Sequence, residues 1–287
     1  MQIKSFFDPR TYTLTYLVWD ADSRDAVVID PVLDFDPATG RIWTESADVV
    51  ADFAAGEDLT VHYVLETHAH ADHLSGSQHL KERFGAKVAI HQAIVAVQEV
   101  FAPVFGKGPD FPLDGSQFDV LVEHGQVLKA GTLDIETIHT PGHTPACVTW
   151  KIEDALFTGD ALFMPDFGTG RCDFPAGSAE DLYDSVTERL YTLPDDTRVF
   201  VGHDYQPGGR ELAWETTIGE SKAKNKQLTG DTDRATFVDF RTKRDATLNA
   251  PRLLLPSIQV NIDAGALPDA DAAGKQYLRI PLKVPAE

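Results

Sequence analysis

The chain has 287 residues, 43% of them hydrophobic, enough to bury a large core in one large α/β domain or in two smaller ones. Its 45 acidic against 25 basic residues give a formal net charge of -20, which repels phosphate backbones and leaves nucleic acid without support as a partner. No apolar run approaches the roughly 18 residues of a membrane span, and Cys147 and Cys172 alone are too few for a disulfide framework or a cysteine-based zinc site.

The opening residues lack a hydrophobic stretch followed by a small-residue cleavage site, so the chain reads as a cytoplasmic protein without a signal peptide, its two thiols free. Residues 12–19 alternate and are rich in β-formers, and 26–29 form a second strand closed by Asp30-Pro31, which predicts a hairpin turning around 20–25. Residues 32–40, with prolines and aspartates, read as a loop. The spacing of Val49, Val50, Phe53 and Ala54 predicts a helix over 46–55, stopped at Gly56. A strand over 61–65 follows, then a helix over 75–84 with Gly85 as its C-cap, a short strand at 88–90, and a helix carrying Ile94, Val95, Val97 and Val100. A loop from Pro103 to Gly115 leads to strands at 126–128, 133–138, 147–152 and 155–158, a helix over 179–190 and a strand at 198–201. Residues 220–228 and 233–248 read as charged helices, and 253–262 is apolar with Pro256 inside. No internal repeat and no convincing linker is present. The expected division is one domain over 1–287, an α+β layered sandwich with a core over about 12–228 and a C-terminal appendage over about 229–287.

Chemistry gathers just past the strand ends. The strand at 61–65 delivers Thr67-His68-Ala69-His70-Ala71-Asp72-His73; three imidazoles and a carboxylate this close are costly to bury unpaired, and a bound cation removes that cost. Other strands deliver His143 in Thr140-Pro141-Gly142-His143-Thr144, Asp160 after Gly159, and His203 in Gly202-His203-Asp204-Tyr205. His68, His70 and His143 form one possible ligand set and Asp72, His73 and His203 another, with Asp160 able to join either or bridge both. Zinc takes about four N, O or S donors, whereas two histidines and a carboxylate with open positions suit non-haem iron(II), so ligand counting leaves one metal or two. His62, His79, His91, His124 and His139 lack such a context and read as ordinary structural histidines. Gly168-Thr169-Gly170-Arg171 has neither the spacing nor the lysine of a phosphate loop, and no serine occupies a Gly-x-Ser-x-Gly elbow.

These motifs, in this order, resemble the metallo-β-lactamase superfamily over about residues 12–228. The resemblance implies a four-layer αββα sandwich with its metal site at one edge. The segment 66–76, Gly159-Asp160-Ala161-Leu162-Phe163, Gly170-Arg171-Cys172-Asp173-Phe174 and His203-Asp204-Tyr205 look most like the persulfide dioxygenases, in the bacterial branch with a longer C-terminal part; glyoxalase II is a more distant relative. That likeness implies one Fe(II) held by His68, His143 and Asp160, with His70, Asp72, His73 and His203 retained outside the ligand set. The implied reaction is oxidation of glutathione persulfide by O2 to sulfite and glutathione. By the same resemblance Arg171 would hold a carboxylate or the peptide part of glutathione, and Tyr205 would position substrate near the iron, although Asp173 is also a local partner for Arg171. The alternative is a zinc thioester hydrolase of the glyoxalase II type, in which His70, Asp72, His73 and His203 become ligands and Asp160 bridges two metals. A binding-only function is a third class. Cys172 stands where a hydroxyl residue is also found, so its thiol need not act in catalysis, and the C-terminal portion would cover the active site, form a homodimer contact or shield the sheet.

Overall fold

The computed structural model of the chain describes residues 1–282. Strands β1 (Gln2–Asp8), β2 (Thr13–Trp19) and β3 (Asp25–Ile29) form an antiparallel meander, and β4 (Val32–Asp36) turns back through β5 (Arg41–Trp43) before helix α1 (Glu45–Gly56). The first half is completed by β6 (Thr60–Leu65), the short β7 (Leu74–Ser75), α2 (Ser77–Phe84), β8 (Lys87–His91), α3 (Ile94–Val104) and β9 (Val120–Val122). The second half contains β10 (Val127–Ala130), β11 (Leu133–His139), β12 (Val148–Ile152), β13 (Ala155–Phe157), α4 (Ala179–Asp184), β14 (Arg198–Phe200), β15 (Glu215–Thr217), α5 (Ile218–Lys224), α6 (Arg234–Asp245) and α7 (Leu254–Asn261).

Two six-stranded sheets, ordered β1-β2-β3-β6-β8-β9 and β10-β11-β12-β13-β14-β15, pack face to face. Period-two alternation in β2 explains why all its residues are buried: Leu14, Tyr16 and Val18 enter the core between the sheets, while Leu17 and Trp19 face the core under the first-half helices. Trp150, Phe157 and Phe200 fill the inter-sheet core from the second sheet. The outcome is the αββα sandwich that the resemblance implied, extended by α5, α6 and α7. Among the described residues, no helix is long and apolar enough to cross a membrane.

Most expected elements form within a residue or two of their expected bounds, including the left-handed Gly85 that ends α2. Residues 32–40 are a correction: they carry β4 and the turn into β5, because their acids find partners instead of solvating a loop. Asp34 accepts from Ser46 and pairs with Arg10, and Asp36 accepts from Ala38 N–H at 3.0 Å. The expected helix over 179–190 is α-helical only to Asp184 and continues as a π-helical turn, Ser185–Leu190. Pro256 is accommodated in the first turn of α7, where its missing N–H has no intrahelical partner to lose. β1, β7, β9 and β15 were not anticipated, and α2 begins at Ser77 because Leu74 and Ser75 pair with β4.

Parallel registers align the loops that matter. Ile29 of β3 and Ala89 of β8 both pair with Leu65 of β6, and Phe157 of β13 pairs with Phe200 of β14, so the chain leaves each sheet at one common edge. A bridge between Thr13 and His203, with Leu14 N–H donating to Gly202 O at 2.9 Å, stitches the two sheets together at that edge.

Candidate metal centre

The loop after β6 is shaped by Asp30, which sits just past β3 in the left-handed region (φ 50°). Its carboxylate accepts from Thr67 N–H and from the Thr67 hydroxyl, both at 2.7 Å. Since that hydroxyl donates to Asp30, it accepts from His68 Nδ1–H at 3.0 Å, and His68 Nε2 is left with a free lone pair. That nitrogen is buried and has no hydrogen-bond partner. His143 is set the same way: its Nδ1–H donates to Arg171 O at 2.6 Å, turning Nε2 toward Asp160 Oδ2 at 3.5 Å. Glycines make these approaches possible. A Cβ on Gly142 (φ 141°) would lie 2.4 Å from Leu182 Cα, and one on Gly159 (φ 48°) would meet the Thr67 side chain at 2.4 Å.

One donor atom each from His68, His143 and Asp160 lie within 4.8 Å of one another, and Asp160 Oδ1 is buried without a hydrogen bond. Burial, reinforced by His70 and His143, pushes His68 well below the ordinary imidazole range and keeps it neutral. The unpartnered His68 Nε2 and Asp160 Oδ1, with His143 Nε2 turned toward the same carboxylate, fit a cation.

A second group adjoins the first, with donor atoms of His70, Asp72 and His203 also within 4.8 Å of one another. His203 Nδ1–H donates to Tyr12 O at 3.2 Å, and its Nε2 lies 3.5 Å from Asp72 Oδ2 and 3.3 Å from Asp160 Oδ1. Although burial disfavours its charge, Asp72 is held well below the usual carboxylate range by His203 and His73. His70 Nε2 is directed at Asp30 Oδ1 (3.1 Å) and Glu66 Oε2 (3.4 Å). Burial opposes the charge of His70, but these acids raise it well above its ordinary value. His73 Nδ1 faces Thr13 Oγ1 at 3.3 Å and Asp72 Oδ2 at 3.4 Å. Asp160 lies with His68 and His143, as in the ligand set the resemblance implies, and His70 lies with Asp72 and His203. The histidines elsewhere meet local partners, with His62 on Asp25, His79 on Asp48, and His91 stacked on His139.

A cavity of about 290 Å³ opens over Asp160 and His143, walled by Tyr205, Arg171, Arg10 and Arg252. Tyr205 lies across His203 with ring centroids 5.6 Å apart and packs on Phe167 at 4.7 Å. Arg171 is already engaged, gripping Asp173 in a bidentate pair at 2.5 and 2.6 Å and donating to Asn249 O at 2.8 Å. Arg252, which makes no salt bridge among the described residues, was not singled out from sequence; nor was Asp30, although it sits at a strand end as the motif residues do, and Glu66 and Thr67 entered only as flanks of the histidine motif. Burial, with Asp245 nearby, raises the Cys172 thiol far above neutrality, so it stays protonated.

Comparison with known proteins agrees with this architecture. Residues 8–203 match the metallo-beta-lactamase superfamily. A Burkholderia pseudomallei protein named as a probable metallo-hydrolase is 46% identical, over 98% of this chain and 99% of its own length. Human mitochondrial persulfide dioxygenase is 35% identical over 79% of this chain and 76% of its own length. The crystal structure of ETHE1 from Myxococcus xanthus superposes with a TM-score of 0.74 at 34% identity, covering 93% of this chain and all of that one. With a matched family over more than half its length and paired histidine and aspartate clusters of the mono- or di-metal kind at the shared sheet edge, the chain belongs to the metallo-beta-lactamase superfamily.

Proposed function

We propose that this protein is an iron-dependent persulfide dioxygenase of the cytoplasm, in which His68, His143 and Asp160 hold one Fe(II). The observation that carries this reading is the compact grouping of those three donors while His70 Nε2 is turned away to Asp30 and Glu66. Two imidazoles and one carboxylate with open positions form the facial donor set of non-haem iron(II). Bound iron supplies the redox chemistry for O2 that zinc lacks.

The remaining work falls to the protein. Glutathione persulfide, O2 and water give glutathione and sulfite: the S–S bond breaks, the electrons lost by the terminal sulfur pass to O2, and the released thiol keeps a proton. Thr67 and the Arg171 carbonyl hold the outer protons of His68 and His143, fixing both rings before substrate arrives. Tyr205, backed by Phe167, walls the cavity and limits water, and the arginines at its mouth offer cations to the carboxylates of a glutathione conjugate in an otherwise acidic protein. Arg171 reaches such a carboxylate by exchanging it for Asp173.

A second reading, zinc-dependent hydrolysis of glutathione thioesters, is favoured by the adjacent donors of His70, Asp72 and His203 and by the name of the Burkholderia relative. Oxygen-electrode traces on the iron-reconstituted protein separate the two. The first reading expects O2 uptake and sulfite with glutathione persulfide and inertness toward an acyl-glutathione; thioester cleavage without O2 uptake would reject it.

A further inference from the structure

Helices α6 and α7 follow every motif residue in the chain, yet they end on the loops that carry them. Asn261, the last residue of α7 and only 4% exposed, spans the segment after β6. Its Nδ2 donates to His70 O and to His73 O, both at 2.8 Å, and its Oδ1 accepts from Ser75 N–H at 2.9 Å. One buried amide thus satisfies two main-chain carbonyls of the irregular segment between β6 and β7 that holds His70, Asp72 and His73, and one amide of β7. Gly265, just past α7, closes the same contact: a Cβ there would lie 3.1 Å from Ser75 O.

The opposite flank is held from α6. Asp245, paired with Arg241 at 2.5 Å and buried with it, accepts from Cys172 N–H at 2.7 Å. The preceding residue, Arg171, presents the carbonyl that receives His143 Nδ1–H. Arg241 also donates to Thr169 O at 3.3 Å. The two helices therefore fix, from outside, the main chain on both sides of the donor groups.

We propose that the C-terminal extension is a positioning device for the metal centre, with Asn261 setting the His70–His73 loop and Asp245 the loop that orients His143, so that metal affinity depends on residues that never touch the metal. This rests on the proposed metal centre but not on the reaction it performs. A buried amide with this geometry has one isosteric replacement that keeps its size and reverses its role: Asn261→Asp retains an acceptor for Ser75 and turns two donor contacts into repulsions.

The test is Co(II) titration of the metal-free full chain, followed by its visible absorption, with thermal melts run in parallel with and without Co(II). For Asn261→Asp, Co(II) affinity is expected to fall by about 10–100-fold, the range for groups that orient ligands, with an altered visible band and a smaller metal-induced rise in Tm. Asn261→Ser, which keeps one donor, should fall between the wild type and Asn261→Asp, and it serves where the aspartate variant does not fold. Equal lowering of Tm in metal-free and metal-loaded protein, with unchanged affinity and spectrum, would show a merely structural residue and overturn the proposal. A wild-type chain that binds no Co(II) would overturn it together with the metal centre itself.

Discussion

The two donor groups at the sheet edge are built from the same residue types, yet the protein treats them differently. In the group of His68, His143 and Asp160, each imidazole donates its outer proton to a neutral oxygen, from Thr67 or the Arg171 carbonyl, and turns Nε2 inward. In the group of His70, Asp72, His73 and His203, imidazoles and carboxylates largely answer one another: His70 meets Asp30 and Glu66, while His73 and His203 flank Asp72. The second group also keeps bare atoms, since His70 Nδ1 and His73 Nε2 are buried without a hydrogen-bond partner, as His68 Nε2 is. The contrast lies in what the rings meet, neutral oxygens around the first group and carboxylates around the second.

Removing a member of the first group should have the largest effect. His143→Ala or Asp160→Ala is expected to abolish turnover and lower metal affinity by more than the roughly 100-fold that marks outer-support residues, read by metal analysis of the dialysed protein. His203→Ala should cost about 10–100-fold in affinity and leave the metal count per chain unchanged. The distinction breaks if His203→Ala is as damaging as His68→Ala and the count drops from two metals to one. Gly142→Ala, whose new methyl would strike the Leu182 backbone, should destabilise the fold by about 1–3 kcal/mol and shift His143, seen as a lower Tm and weaker metal binding. The smallest effect is expected at the far end of β3, where His62 at 2.6 Å and the Thr132 amide lower Asp25 from 3.8 to about 2. Its contribution to stability is complete above the ordinary carboxylate range and is lost as pH falls toward about 2. Asp25→Asn should therefore flatten the Tm profile in that acid window while leaving metal affinity at neutral pH untouched.

Much of this was legible before any coordinates, because the signals were local. Period-two runs such as 12–19, the helical spacing in 46–55, and glycines one residue before Asp160, His143 and His203 specify strands, helices and tight exits within a few positions. What stayed hidden depends on contacts across the chain. The pairing of Asp34 with Arg10 and Ser46 made a strand where prolines and acids suggested a loop. The approach of Asp30 to His70 at 3.1 Å comes from the parallel pairing of β3 and β6, which no local pattern signals. Asn261 closes the segment 256–261, which carried only a likeness to the longer bacterial branch, since an asparagine at the end of an apolar helix names no partner nearly two hundred residues earlier.

The most direct test of the central claim is stepwise addition of Fe(II) to the metal-free protein under anaerobic conditions, with persulfide-dependent O2 uptake measured at each step. The rate is predicted to rise linearly and break at one iron per chain. A break at two metals per chain, or no O2 uptake at any loading, would contradict the account.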